Sequence, residues 1–194
     1  MLTGRKIRHL VLLVMTIGIV SCATHEEIIE PKPPSFARPL VEPLALRIGY
    51  AFDPSIDQEV VVTTDDERYD LRLGPATRTA FERVWGAVFV EAIDLAEAAP
   101  AHESPAGLDG TIRLRLAAAG LRRELDRYYG FTVFELIFLN PDGSQGGVWP
   151  VRGDGVAAAS GQDSLELAIR AVAATVATDL DRQPALRRWR ERYD

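Results

Sequence analysis

The stretch YYGFTVFELIFLN, residues 128–140, decides how the rest of the chain must be arranged. From Phe131 to Leu139 only Thr132 and Glu135 interrupt an apolar run. A strand so long and so apolar is an aggregation hazard at a sheet edge, so the run predicts a position in the middle of a sheet. Upstream, TIRLRLAAA at 111–119 alternates, with Ile112, Leu114 and Leu116 pointing one way and Arg113 and Arg115 the other. That period of two predicts a strand with one wet face. The charged residues at 121–127 are expected to connect the two strands. Downstream, Asn140-Pro141-Asp142-Gly143 is a turn sequence, and GVWPVRG at 147–153 should pair back as a strand. Pro150 has no N–H to give to a ladder, which places that strand at an edge.

Outward from this hairpin, LALRIGYAF at 44–52 reads as a strand buried on one or both faces, broken by Asp53-Pro54. EVVVTT at 59–64 and YDLRL at 69–73 read as a hairpin, with Asp65, Asp66, Glu67 and Arg68 as its turn. The carboxylates Asp65, Asp66, Glu67 and Asp70 lack the glycine and the spaced acids of a calcium loop, so a solvated turn explains them. Gly74-Pro75 opens a helix whose Ala80, Phe81, Val84, Trp85 and Val88 share one side. Gly86 should mark its end, followed by a strand at 88–95 and a loop at 96–109. Near the C-terminus, Asp163-Ser-Leu-Glu166 has the form of a capping box. Leu165, Ile169, Val172, Val176 and Leu180 then recur at helical spacing. Trp85 and Trp149 are expected in packing roles. The order of elements predicts an α+β fold: a mixed, mostly antiparallel sheet with two main helices packed on one face.

At the other end of the chain, Arg5, Lys6, Arg8 and His9 precede the apolar run LVLLVMTIGIV at 10–20, then Ser21 and the sole cysteine, Cys22. A basic head, a short apolar run and a small residue make an export signal. Eleven residues at about 1.5 Å each cover roughly half of a ~30 Å hydrocarbon core, too short for a spanning helix. Ile19-Val20-Ser21-Cys22 resembles the lipobox of bacterial lipoproteins. The resemblance implies that the Cys22 thiol receives a diacylglyceryl group, that the chain is cut before it, and that the new amino terminus is acylated. The expected organisation is a signal peptide at 1–21, a lipidated Cys22 with a proline-rich tether at 22–43, a folded domain at 44–183 and a short basic tail at 184–194. Five of twelve prolines fall in the tether. Extended polyproline geometry at about 3.1 Å per residue would hold the domain up to roughly 60 Å from the membrane.

The formal net charge is −6, and losing the three cations of the signal takes it to −9. That balance argues against nucleic acid or anionic lipid as the main partner. With Cys22 consumed by lipid, no thiol is left for a disulfide. His9 leaves with the signal, His25 sits in the tether, and His102 has no cysteine or second histidine near it in sequence to make a metal site. No nucleophile elbow, phosphate-binding glycine loop or zinc-protease motif is present, and Ser144, Ser160 and Ser164 stand in turn or cap contexts. The expectation is therefore a non-enzyme without cofactor or metal. An enzyme would need a carboxylate site assembled from distant strands, which no motif announces.

ALRRWRERY at 185–193 is the most unusual surface candidate. Amid Arg187, Arg188, Arg190 and Arg192, Trp189 has the chemistry for a lipid interface or an acidic partner surface. The bland reading, which is preferred, has Leu186 and Trp189 closing the core while the arginines stay in water.

The lipobox and the order of elements together look like the small envelope lipoproteins with a βαββα-type core, among them lipopolysaccharide-assembly lipoproteins, auxiliary lipoproteins of ABC transport systems and cell-wall-synthase activators. No functional residue beyond Cys22 carries over. The resemblance implies an accessory protein without enzymatic activity, held in the membrane through Cys22 and binding an envelope protein partner. Ala23, rather than aspartate, after the cysteine favours the outer membrane, with the domain facing the periplasm. The alternative is a binder of lipid or another apolar ligand, with the helices covering a cavity above Phe134, Leu136 and Phe138.

Overall fold

The computed structural model describes residues 25–35, 41–64, 67–95 and 107–191. Cys22, the apolar run at 10–20, Asp65, Asp66, His102, Arg192 and Tyr193 lie outside the described residues, as does most of the loop expected at 96–109.

The apolar run at 128–140 forms β7 (Arg127–Leu139), and it lies inside a sheet, between β6 (Gly110–Glu124) and β8 (Gln145–Asp154). Both pairings are antiparallel. Along β6, Ile112, Leu114 and Leu116 are buried while Arg113 and Arg115 are exposed, so the alternation has the predicted sense. The register shifts between Leu116 and Ala118, a bulge that puts two residues of β6 opposite one of β7. On the other side of β6 run β2 (Leu44–Phe52) and then β5 (Phe89–Asp94), each parallel to its neighbour. The order is β5-β2-β6-β7-β8, with β8 at an edge as its proline requires. The antiparallel ladders are the long ones, so this mixed sheet is mostly antiparallel. The charged residues at 121–124 extend β6 instead of forming the expected connector, and the turn shrinks to Leu125 and Asp126.

β3 (Val60–Thr63) and β4 (Glu67–Leu71) form the predicted hairpin. They belong to a second sheet, in the order β1-β4-β3, and Glu67 and Arg68 are strand residues, not turn. β1 is His25–Ile29, paired in parallel with β4. This corrects the expected tether. Ile29, Pro31 and Pro34 are buried, and Arg83 donates a hydrogen bond to the Pro34 carbonyl. Proline content is a local property, whereas β1 is held by a partner some forty residues away. The folded domain thus includes His25–Ile29, ahead of residue 44.

Among the described residues, three helices cover one face of the five-stranded sheet. α1 (Gly74–Val88) buries Ala80, Phe81, Val84, Trp85 and Val88, the predicted stripe, and runs two residues past Gly86. α2 (Gly161–Asp179) buries Leu165, Ile169, Val172 and Val176. Its cap is Ser160, whose Oγ accepts from the Asp163 N–H at 3.1 Å. The expected capping role of Asp163 fails because that residue already lies within the first turn, while Ser160 has the extended backbone a cap needs. Ser160→Ala should cost about 1 kcal/mol, read as a lower urea midpoint at unchanged slope. A short 3-10 turn, Leu180–Arg182, leads to α3 (Pro184–Arg190).

The core lies between these helices and the sheet. Phe81 of α1 meets Phe134 edge-on at 5.6 Å between centroids, and Leu136 and Phe138 are buried beside it. Phe134, Leu136 and Phe138, over which the alternative reading placed a ligand cavity, are thus buried among side chains. Trp85 is buried and Trp149 packs against the core from β8, both in the predicted packing roles. β8 lies unusually near α2: a Cβ on Gly153 would stand 2.1 Å from the Ala168 carbonyl oxygen, and one on Gly155 2.0 Å from that of Ser164.

Candidate functional site

Two groups of side chains stand at the two ends of β6. At its start is α3. Pro184 sets the first turn, and the spacing of PALRRWR turns Ala185, Leu186 and Trp189 inward and Arg187, Arg188 and Arg190 outward. The Trp189 ring sits where Gly110 leaves room, since a Cβ there would fall 2.3 Å from the indole. It meets Phe138 edge-on at 6.0 Å, and its Nε1 donates to Asn140 Oδ1 at 3.2 Å. Trp189 is therefore a plug closing the core. The contact with a partner or lipid expected of it is overturned, because a fully buried indole has no face to offer.

The arginines around it are exposed. Arg188 donates to the Gly146 carbonyl and so ties α3 to the start of β8. Arg182 pairs with Asp179 at 2.7 Å. Among the described residues, neither Arg187 nor Arg190 forms an ion pair. Arg190 borders a hollow also lined by Glu42, Asp181, Leu44 and Val88, so two carboxylates share that hollow with it.

At the far end of β6 the chain enters the domain. His25 stands opposite Glu67 in register. Glu67 receives the Arg123 guanidinium at 3.2 Å and the Tyr69 hydroxyl, which donates to its carboxylate. Burial, and then that hydrogen bond, push the Tyr69 phenol well above its ordinary value. Tyr69 also meets Tyr128 edge-on at 6.4 Å. β1, β4 and the β6–β7 hairpin are thus fastened together at this end. Fifteen residues of β6 separate it from α3, which at about 3.3 Å per residue is roughly 45 Å.

A groove of about 660 Å³ runs between β3 and the outer face of the hairpin, lined by Val61, Val62, Gly120, Phe131 and Arg152 among others. Phe131 lies across Gly120, and the Arg152 guanidinium stacks on Phe131 at 4.7 Å. Arg152 also pairs with Asp154 at 2.6 Å, and this hydrogen bond holds the Asp154 carboxyl below its ordinary value. The polar groups of the groove are thus turned to one another. Among the described residues no group of three or more His, Cys, Asp and Glu is placed to hold a metal ion, and no helix is long and apolar enough to cross a membrane.

The described residues form an α+β protein of two sheets, with three helices on one face of the larger. No protein-family model matches the sequence, and comparison with curated proteins finds no match. Among solved structures it is similar to the crystal structure of lipoprotein GNA1162 from Neisseria meningitidis, at 8% identity over 81% of this chain and 99% of that one, with a TM-score of 0.35. At that TM-score the likeness carries no argument about role.

Proposed function

We propose that this protein is a non-enzymatic accessory lipoprotein of the bacterial envelope, anchored through Cys22 and binding an envelope protein partner with the arginines of α3. The observation that carries the reading is the placement of His25 and α3 at opposite ends of β6. His25 follows Cys22 by three residues, a span of at most ~11 Å when fully extended. An acylated Cys22 keeps the β1 end at the bilayer and turns Arg187 and Arg190 away from it. Guanidinium groups that form no ion pair among the described residues suit carboxylates or phosphates on another surface. Ala23 supports the outer membrane, and export supports a periplasmic domain.

Two experiments test the two halves. Cys22→Ala should leave circular dichroism unchanged and move the protein from the membrane fraction to the soluble one; unaltered membrane fractionation would refute the anchor. A benzoylphenylalanine at Arg187 should crosslink to a discrete envelope protein, with the product lost when Arg190→Glu is added. Crosslinking that ignores the charge reversal would move the partner surface elsewhere.

A further inference from the structure

We infer that the tip of the β6–β7 hairpin is a second membrane contact, with Leu125 seated in the interface of the bilayer that holds Cys22. This rests on the anchor proposed above and adds an orientation to it.

Leu125 combines two features that folding alone does not favour. It is 95% exposed, so it packs on nothing, and its φ of 54° places a leucine in left-handed backbone. A two-residue hairpin turn is ordinarily filled by asparagine, aspartate or glycine, which tolerate that geometry. An apolar side chain held in strained backbone at the outermost point of a hairpin is explained by something outside the fold.

Position names the occupant. Arg123 is bound to Glu67, which stands opposite His25, so the hairpin tip lies level with the start of β1. The end of the domain that carries Leu125 is the end held within a few residues of the acylated cysteine. The neighbouring side chains suit a boundary between water and lipid. Tyr128 and Tyr129 flank the tip, stacked under Arg123 and Arg122, and tyrosine and arginine both place an apolar body beneath a polar head. Val156 is also exposed beside this end, in the segment where Ala158 bridges to Tyr128. Charge makes the contact an insertion and not an electrostatic attraction. Arg122 pairs with Glu124 at 2.6 Å, Arg123 with Glu67, and the exposed Asp126 and Arg127 are neighbours at the turn, so three acids offset three arginines.

The test uses the full lipidated protein. Acylation consumes Cys22, so the single new thiol of Leu125→Cys carries an environment-sensitive nitrobenzoxadiazole dye. Val90→Cys, at 71% exposure on β5 and near the opposite end of the domain, carries it as a control. On phosphatidylcholine–phosphatidylethanolamine vesicles, nitroxide-labelled lipid should quench the dye at 125 at least twofold and leave the dye at 90 unchanged, with no effect of 0.5 M salt. Equal and negligible quenching at both sites on floated vesicles overturns the inference while leaving the anchor intact. Shielding of the dye at 125 from aqueous iodide without nitroxide quenching would assign the tip to a protein or a second copy, and also overturns it. Protein that fails to float with the vesicles refutes the anchor and the inference with it.

Discussion

Gly153→Ala is expected to destabilise the domain by about 3 kcal/mol, at the upper end of what overpacking costs. The added Cβ would stand 2.1 Å from the Ala168 carbonyl oxygen and 2.7 Å from Val172 Cγ2. The first of these is helix backbone, which has no rotamer to turn aside, so α2 or β8 must move as a unit. Either movement disturbs Val151 and Ile169 in the core. Chemical denaturation checks this, and Gly86→Ala is its control. Gly86 lies inside α1 with nothing within 4 Å of an added methyl, so the same exchange there should stabilise by about 0.5–1 kcal/mol through helix propensity alone. Opposite signs at the two positions would tie the loss at Gly153 to contact. A neutral Gly153→Ala would mean that β8 and α2 are not closely packed.

Trp189→Ala should cost about 3–5 kcal/mol, the range for deleting a buried aromatic. The loss has three sources: the seat on Gly110, the edge contact with Phe138 and the hydrogen bond to Asn140. Trp189→Phe restores part of the packing without the donor and should fall between. Arg187→Ala and Arg190→Ala should stay within about 0.5 kcal/mol of the parent, as exposed substitutions do. If Trp189→Ala proved as mild as the arginine variants, α3 would be a loose tail and its buried tryptophan would need another explanation.

Periodicity carried most of the fold. The stripes of α1 and α2 and the alternation of β6 were legible because burial on one face imposes a period that local sequence displays. Where pairing is remote, the sequence is silent. HEEII at 25–29 holds too few apolar residues to announce a strand beside five prolines, and it becomes β1 only because β4 supplies its ladder. Arg122, Arg123 and Glu124 resembled a connector, yet a strand wet at its outer end keeps its ladder while carrying charge. Ser160 was hidden behind Asp163 because two residues of capping chemistry stand three apart, and only the backbone conformation chooses between them. For the candidate site, the three arginines were legible as a charged cluster. The burial of Trp189 was one of the two readings the sequence offered; its seat was not legible, since it depends on a glycine some eighty residues away.

β1 also has a mechanical consequence. If Cys22 is the anchor proposed above, a load drawn between it and α3 would run along β1, because the strand starts at one end of the domain and α3 sits at the other. Pulled that way, β1 would have to slide past β4, stretching all the hydrogen bonds of its ladder at once. Pulled sideways, it would part from β4 one bond at a time. β1 is thus a shear joint, in which tension along the strand is carried by the whole ladder rather than by its first bond.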